Sequence, residues 1–187
     1  MLLREVEYAR PGTVEEAVAL LSEHDGARAL AGGQTLVNVM KARAASPDVL
    51  VDLRDLHELR AIGFSGDGML ELGAMVTYAQ LVRSSEVEVA RPILAEVAAT
   101  IGDVQVRNRG TIGGNVCVSD PTNHLPPLLL ALGATFTIRG PGGERTARAR
   151  REGARRPEGP AGPPMNGSQT VNTDSMPPGI AIGKGAG

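Results

Sequence analysis

Beyond Thr146 the chain contains no Leu, Phe or Tyr. That break sets how much of the 187 residues can build a core. Residues 147–187 hold six Lys/Arg against three Asp/Glu, and seven of the thirteen prolines lie from Pro141 onward. A segment of this kind buries too little apolar surface to offset its ordering entropy. It therefore reads as a disordered Gly/Pro/Arg-rich tail at 147–187, with the folded part ending near residue 146. The remaining 1–146 carries 13 basic and 18 acidic groups. Aromatics are only 2% of the chain (Tyr8, Phe64, Tyr78 and Phe136, with no Trp), so its core must come from Val, Leu, Ile, Ala and Met.

Punctuation within 1–146 is regular. Thr13 followed by Glu16 is a capping box, and Val14, Ala17, Val18 and Leu21 line one helical face that Gly26 ends. Ala27–Ala31 reads as a strand, Thr35–Arg43 as a helix and Val49–Leu53 as another strand, a small β-α-β-α-β unit. Ile62–Ser65 and Met69–Ala74 flank Gly66-Asp67-Gly68, a hairpin signal. Thr77 caps a helix through Ser84, and Pro92 opens another that stops at Gly102. A glycine-rich loop at Gly110–Asn115 precedes Val116-Cys117-Val118, a helix over Leu125–Leu132 and a strand at Thr135–Arg139. The return strand starting near Glu144 loses its pattern, so that hairpin reads as unfinished. The division expected is 1–55, 56–146 and the tail.

Several function classes drop out. One cysteine, Cys117, rules out an internal disulfide, a protein-held iron–sulfur cluster and a structural zinc site, all of which need more ligands. In its apolar context Cys117 reads as a small buried hydrophobe. No apolar run approaches the roughly 20 residues of a membrane span, and the charged start, with Arg4, Glu5, Glu7 and Arg10, is no signal peptide. A net charge of −2 offers nucleic acid no global attraction. The expectation is a cytoplasmic globular protein.

Chemistry concentrates in two glycine-rich segments. Ala31-Gly32-Gly33-Gln34-Thr35 joins a strand to a helix, and Arg109-Gly110-Thr111-Ile112-Gly113-Gly114-Asn115 leads into an apolar stretch. A phosphate needs converging backbone N–H groups with no Cβ in the way, which paired glycines before a helix supply. Thr35 and Thr111 add hydroxyls and Asn115 an amide. Neither is a Walker A loop or G-x-G-x-x-G. Each Gly-Gly alone is more often a tight turn; two together fit a diphosphate gripped from both sides. Near the second loop, Asp120 either contacts a ligand or begins the turn at Pro121. His124 either reaches a ligand or caps the following helix. Arg107 and Arg109 either neutralise phosphate or face outward.

Ala31–Leu36 with Met40-Lys41, then Val51-Asp52-Leu53, Leu72-Gly73-Ala74 and Thr77, then Ile101-Gly102 and Gln105–Asn115, and finally Ser119-Asp120-Pro121 and Leu125-Pro126-Pro127, run in order over about residues 3–146. In these motifs the chain resembles the FAD-binding medium subunit of the molybdenum hydroxylases, the carbon monoxide and xanthine dehydrogenase family. The resemblance implies an α+β fold with two FAD-binding subdomains, of the vanillyl-alcohol oxidase and p-cresol methylhydroxylase type, incomplete at the C-terminus. It implies FAD bound at Ala31, Gly32, Gly33, Gln34, Thr35 and Leu36, at Thr111, Ile112, Gly113, Gly114 and Asn115, and near Asp120. No catalytic or metal-ligating residue is implied. It further implies electron transfer from an iron–sulfur partner subunit, fed by a molybdenum cofactor subunit, to an external acceptor. The family continues into further strands and a C-terminal domain where this chain has its tail, which points to a truncated or frame-shifted product. A non-catalytic remnant is the alternative reading, and a stand-alone flavin reductase of the same fold ranks last.

Overall fold

A computed structural model of the chain describes residues 3–120 and 122–149, and the backbone of 176–182. The first layer is β1 (Glu7–Ala9), α1 (Val14–Glu23), β2 (Ala27–Leu30), α2 (Leu36–Lys41) and β3 (Val49–Asp52). Its strands are all parallel, in the order β1-β3-β2, as strands linked by helical crossovers must be. Central β3 is buried at every position, which is why it reads as an apolar run. The exception is Asp52, whose fully buried carboxylate accepts from the Tyr8 hydroxyl and from Arg54 Nε at 2.6 Å and Arg54 N at 2.9 Å. A buried charge persists only when partnered in this way. Here it also ties β1 to β3.

Two local expectations change around α1. Thr13 accepts from Glu16 N at 3.1 Å, but the Glu16 carboxylate takes the Gly12 amide at 2.7 Å instead of closing a reciprocal box. Gly26 is not a left-handed helix cap. A side chain there would overlap the Asp48 carboxylate, and Asp48 N donates to the Gly26 carbonyl at 3.0 Å. The glycine serves close approach of two segments, not chain reversal.

After a 3-10 turn at His57–Arg60 come β4 (Ile62–Phe64), β5 (Leu70–Gly73), α3 (Tyr78–Arg83), α4 (Ser85–Ala90), α5 (Pro92–Thr100), α6 (Val104–Arg109), α7 (Ile112–Val118) and α8 (Leu125–Ala131). The strands β6 (Thr135–Gly140), β7 (Gly143–Arg148) and β8 (Met176–Ile182) follow. The second sheet is antiparallel throughout, ordered β4-β5-β8-β6-β7. Leu70 and Leu72 pack with Val76, Leu81, Leu94, Ile112, Leu125 and Leu129 in one core. The first core draws in Leu56, Leu59 and Met75 from beyond β3, so the turn after β5 is anchored in the neighbouring layer. Mixed helix and strand in separate layers is the expected α+β class.

The expectations for the C-terminal part need correction. The β6–β7 hairpin is complete, paired from Thr135↔Arg148 to Gly140↔Gly143, with Gly143 at φ 100° in the turn. Its outer strand is mostly exposed and carries Glu144, Arg145 and Arg148, a charged edge that needs no apolar pattern. Within the segment read as a disordered tail, Met176–Ile182 is a central strand. Gly179–Ile182 pairs with β5 while Thr135–Thr137 pairs with its other side. Backbone ladders recruit such a segment through N–H and C=O groups that composition does not register. Pro177 and Pro178 have no N–H to donate, and they lie where the ladder to β6 shifts register, between Thr137 and Arg139. The rest of the tail, 150–175 and 183–187, lies outside the described residues.

Ending the chain at Ser175 should leave the β8-facing groups of β5 and β6 without partners. Hydrogen exchange of those amides is expected to accelerate while β1–β3 keep their protection. Unchanged exchange in β5 and β6 would mean that Met176–Ile182 is not the central strand in solution.

Candidate functional site

The two glycine-rich segments, about 75 residues apart in sequence, meet in space. Gly32 leaves the end of β2 and lies against the carbonyl of Arg109, where a side chain on Gly32 would overlap it; the same side chain would be 3.0 Å from Gly110 Cα. A side chain on Gly114 would sit 3.6 Å from Ala31 Cβ. Each loop is a wall of the other, and only missing side chains let the backbones approach so closely.

In the first loop Gly33 has φ +72°. Among the described residues, no protein acceptor takes the amides of Gly32, Gly33, Gln34 or Thr35. Their carbonyls are engaged: Val37 N donates to Gly33 at 3.2 Å, Val39 N to Thr35 at 3.0 Å and Asn38 Nδ2 to Gln34 at 2.7 Å. Thr35 starts α2 without a side-chain capping bond, so its hydroxyl is not committed to the helix. A run of free amides around a left-handed residue is how a main chain curls N–H groups toward an anion.

The second loop is different. Its Gly113-Gly114 pair lies inside α7 and not ahead of it, a correction to the expected loop. The first four amides of this helix all have protein acceptors. Ile112 N donates to Val76 O at 2.9 Å and Gly113 N to Ala74 O at 2.9 Å. Gly114 N donates to Thr111 Oγ1 at 3.1 Å and Asn115 N to Thr111 O at 3.0 Å. Gly113 is required by packing, since a side chain there would stand 2.6 Å from the Ala74 carbonyl. Glycine in a helix costs about 1 kcal/mol relative to Ala; contact with the turn after β5 outweighs that local preference. The side chain of Asn115 is turned inward, donating from Nδ2 to the Tyr78 hydroxyl at 2.9 Å, with Oδ1 buried and unpartnered. Burial pushes the Tyr78 phenol above its usual range, and the Asn115 bond opposes this only in part.

Asp120 follows α7, whose seven residues put it about 10 Å beyond the Thr111 end at 1.5 Å per residue. Its Oδ1 accepts from Thr122 N at 2.9 Å and Thr122 Oγ1 at 2.7 Å, the turn-forming role, and these bonds hold the carboxyl below its usual range. Arg107 reaches back to the carbonyls of Ile101 and Gly102 at 3.3 and 2.8 Å. Arg109 is exposed. His124 makes no capping bond to α8. Sequence reasoning passed over Tyr78, which touches both ends of the second loop. The only cue was its place one residue after the capping Thr77. Among the described residues no group of three His, Cys, Asp or Glu is placed to hold a metal ion, and no helix is long and apolar enough to cross a membrane.

Comparison with known proteins matches residues 4–151 to the family described as the FAD binding domain in molybdopterin dehydrogenase. The carbon monoxide dehydrogenase medium chain of Afipia carboxidovorans is 43% identical over 145 residues, covering 77% of this chain and 50% of that protein. The glyceraldehyde dehydrogenase medium chain of Sulfolobus acidocaldarius is 37% identical over 145 residues, 78% of this chain and 51% of that one. The structure of quinoline 2-oxidoreductase from Pseudomonas putida 86 superposes with a TM-score of 0.86 at 31% identity, over 100% of this chain and 61% of that one. The chain thus spans about half the length of the curated relatives it matches.

Cys117 sits on α7 beside this site, and burial pushes its thiol from 9.0 up to about 11. Thiolate is the reacting species. At pH 8 the folded protein is therefore expected to react with a maleimide or disulfide reagent roughly 100-fold more slowly than the unfolded chain. Equal rates before and after denaturation would show that α7 does not shelter the thiol.

Proposed function

The chain belongs to the family of FAD-binding domains of molybdopterin dehydrogenases, and from that premise we propose that its two glycine loops hold the FAD diphosphate for electron transfer within a heteromeric dehydrogenase. The carrying observation is the run of four free amides at Gly32–Thr35, walled by the backbone of Arg109 and Gly110. A diphosphate carries only acceptors, and this is a cluster of donors with no protein acceptor among the described residues. Charge-assisted hydrogen bonds of this kind are worth roughly 1.5–3 kcal/mol each.

In this reading the amides of Gly32, Gly33, Gln34 and Thr35 and the Thr35 hydroxyl contact phosphate oxygens, with Ala31 and Leu36 flanking them. Thr111, Ile112, Gly113, Gly114 and Asn115 form the facing wall and set its distance. Asp120, steadied by Thr122 and with its second carboxylate oxygen clear of any donor among the described residues, is assigned to the flavin side of the cleft. The subdomain division is 1–55 and 56–146, in the vanillyl-alcohol oxidase and p-cresol methylhydroxylase manner, with Met176–Ile182 completing the second sheet. Bound FAD supplies the redox chemistry, while the polypeptide binds, orients and shields it. The partners are an iron–sulfur subunit and a molybdenum cofactor subunit, in the cytoplasm. This assignment is supported by relatives named as medium chains, and their names cite different substrates. Substrate choice accordingly belongs to a partner.

Titration of the full chain with FAD and FMN, followed by flavin fluorescence, tests the diphosphate site. FAD is expected to bind at least roughly tenfold more tightly. Gly32→Ala, which drives a methyl into the Arg109 carbonyl, and Gly33→Asp should each erase most of that preference. Equal affinities for FAD and FMN in the unaltered chain would sink the assignment.

A further inference from the structure

Gly110 is where the two loops rest on each other, and Tyr78 stands directly behind it. Tyr78 N donates to the Gly110 carbonyl at 3.1 Å, and a side chain on Gly110 would come within 2.5 Å of the Tyr78 ring at Cε2. The preceding residue, Thr77, forms a β-bridge with Thr111. At the far end of the ring, the hydroxyl holds Asn115 Nδ2 at 2.9 Å. One side chain thus touches the second loop at both ends, Gly110 and Asn115. Tyr78 is 5% exposed and Asn115 8%. With Asn115 Oδ1 buried and unpartnered, this hydrogen bond is the only one holding the Asn115 amide among the described residues.

We propose that Tyr78 is a positioning residue for the cofactor: its hydroxyl, through Asn115, sets the curvature of the second loop, and the second loop sets where the free amides of Gly32–Thr35 stand. The contact path is continuous, from the Tyr78 hydroxyl to Asn115, along α7 to Gly110, and across to Gly32. In the second loop the amides of Ile112–Asn115 all have protein acceptors; its contribution is to place the first loop. This inference rests on the FAD reading above.

The test compares Tyr78→Phe, Asn115→Leu and the double variant in the full chain, measuring FAD and FMN affinity and thermal midpoint together. Phenylalanine keeps the ring on Gly110 and removes only the hydroxyl. One lost hydrogen bond corresponds to an affinity change of about three- to tenfold. Each single variant is expected to lower the FAD-to-FMN affinity ratio by that factor while remaining folded at the assay temperature. The double variant should lose no more than either single one, because both remove the same bond. An unchanged ratio with a lowered thermal midpoint would reduce Tyr78 to a core residue and overturn the proposal. Independent, multiplying losses would do the same. If Tyr78→Phe does not fold, Asn115→Leu alone reads the same bond from its other end. A parent chain that prefers FAD, with variants whose ratio stays put, defeats only this inference. A parent chain without that preference defeats the cofactor reading itself.

Discussion

Backbone against backbone at Gly32, Arg109 and Gly110 is the contact on which the rest of the site depends. Two layers with separate cores meet there without a side chain between them. A single methyl at Gly32 would part the loops, so this approach works as a steric gauge of the distance between the two sheets. Other features maintain it. Met75 and Leu59 sink into the first core from beyond β3, and Gly113 lies flat on Ala74. The turn after β5 is therefore held by one layer while carrying the helix of the other.

The two loops divide the labour that their similar sequences suggest they share. One offers a run of amides; the other has the amides of Ile112–Asn115 tied into the protein and offers shape. The difference comes from what lies in front of each helix. At α7 the turn Ala74–Val76 presents carbonyls to the first helical amides, and Thr111 takes the next two. At α2 nothing comparable approaches among the described residues. Of the two loops, the first thus carries the run of free amides.

The second sheet owes its continuity to a segment that composition would discard. Met176–Ile182 lies between β5 and β6, and β5 runs directly into the turn that carries α7. Closure of the sheet and placement of the glycine loop are therefore linked through a single strand. On the other flank Arg139 of β6 reaches Glu15 of α1 at 3.2 Å, a partly exposed bridge between the layers. Such a bridge is worth little by itself; the apolar contacts of Leu59 and Met75 do more.

Local chemistry made much of this protein legible in its sequence. Capping residues, turn glycines and apolar spacing marked α1, α3, α5, the β4–β5 hairpin and the parallel unit, because those signals act over a few residues. Their ordered motifs also carried the family, whose FAD-binding assignment the comparisons bear out. Long-range packing was not legible. That Gly113-Gly114 is helical, that Gly26 makes room for Asp48, that Asn115 turns inward to Tyr78 and that Met176–Ile182 enters a sheet all depend on partners distant in sequence. By itself the sequence determined the local elements and which loops are bare of side chains, since these follow from each residue's own backbone preferences. Only the tertiary structure decided which bare loop keeps its amides free, because that depends on what the fold brings within hydrogen-bonding distance of them.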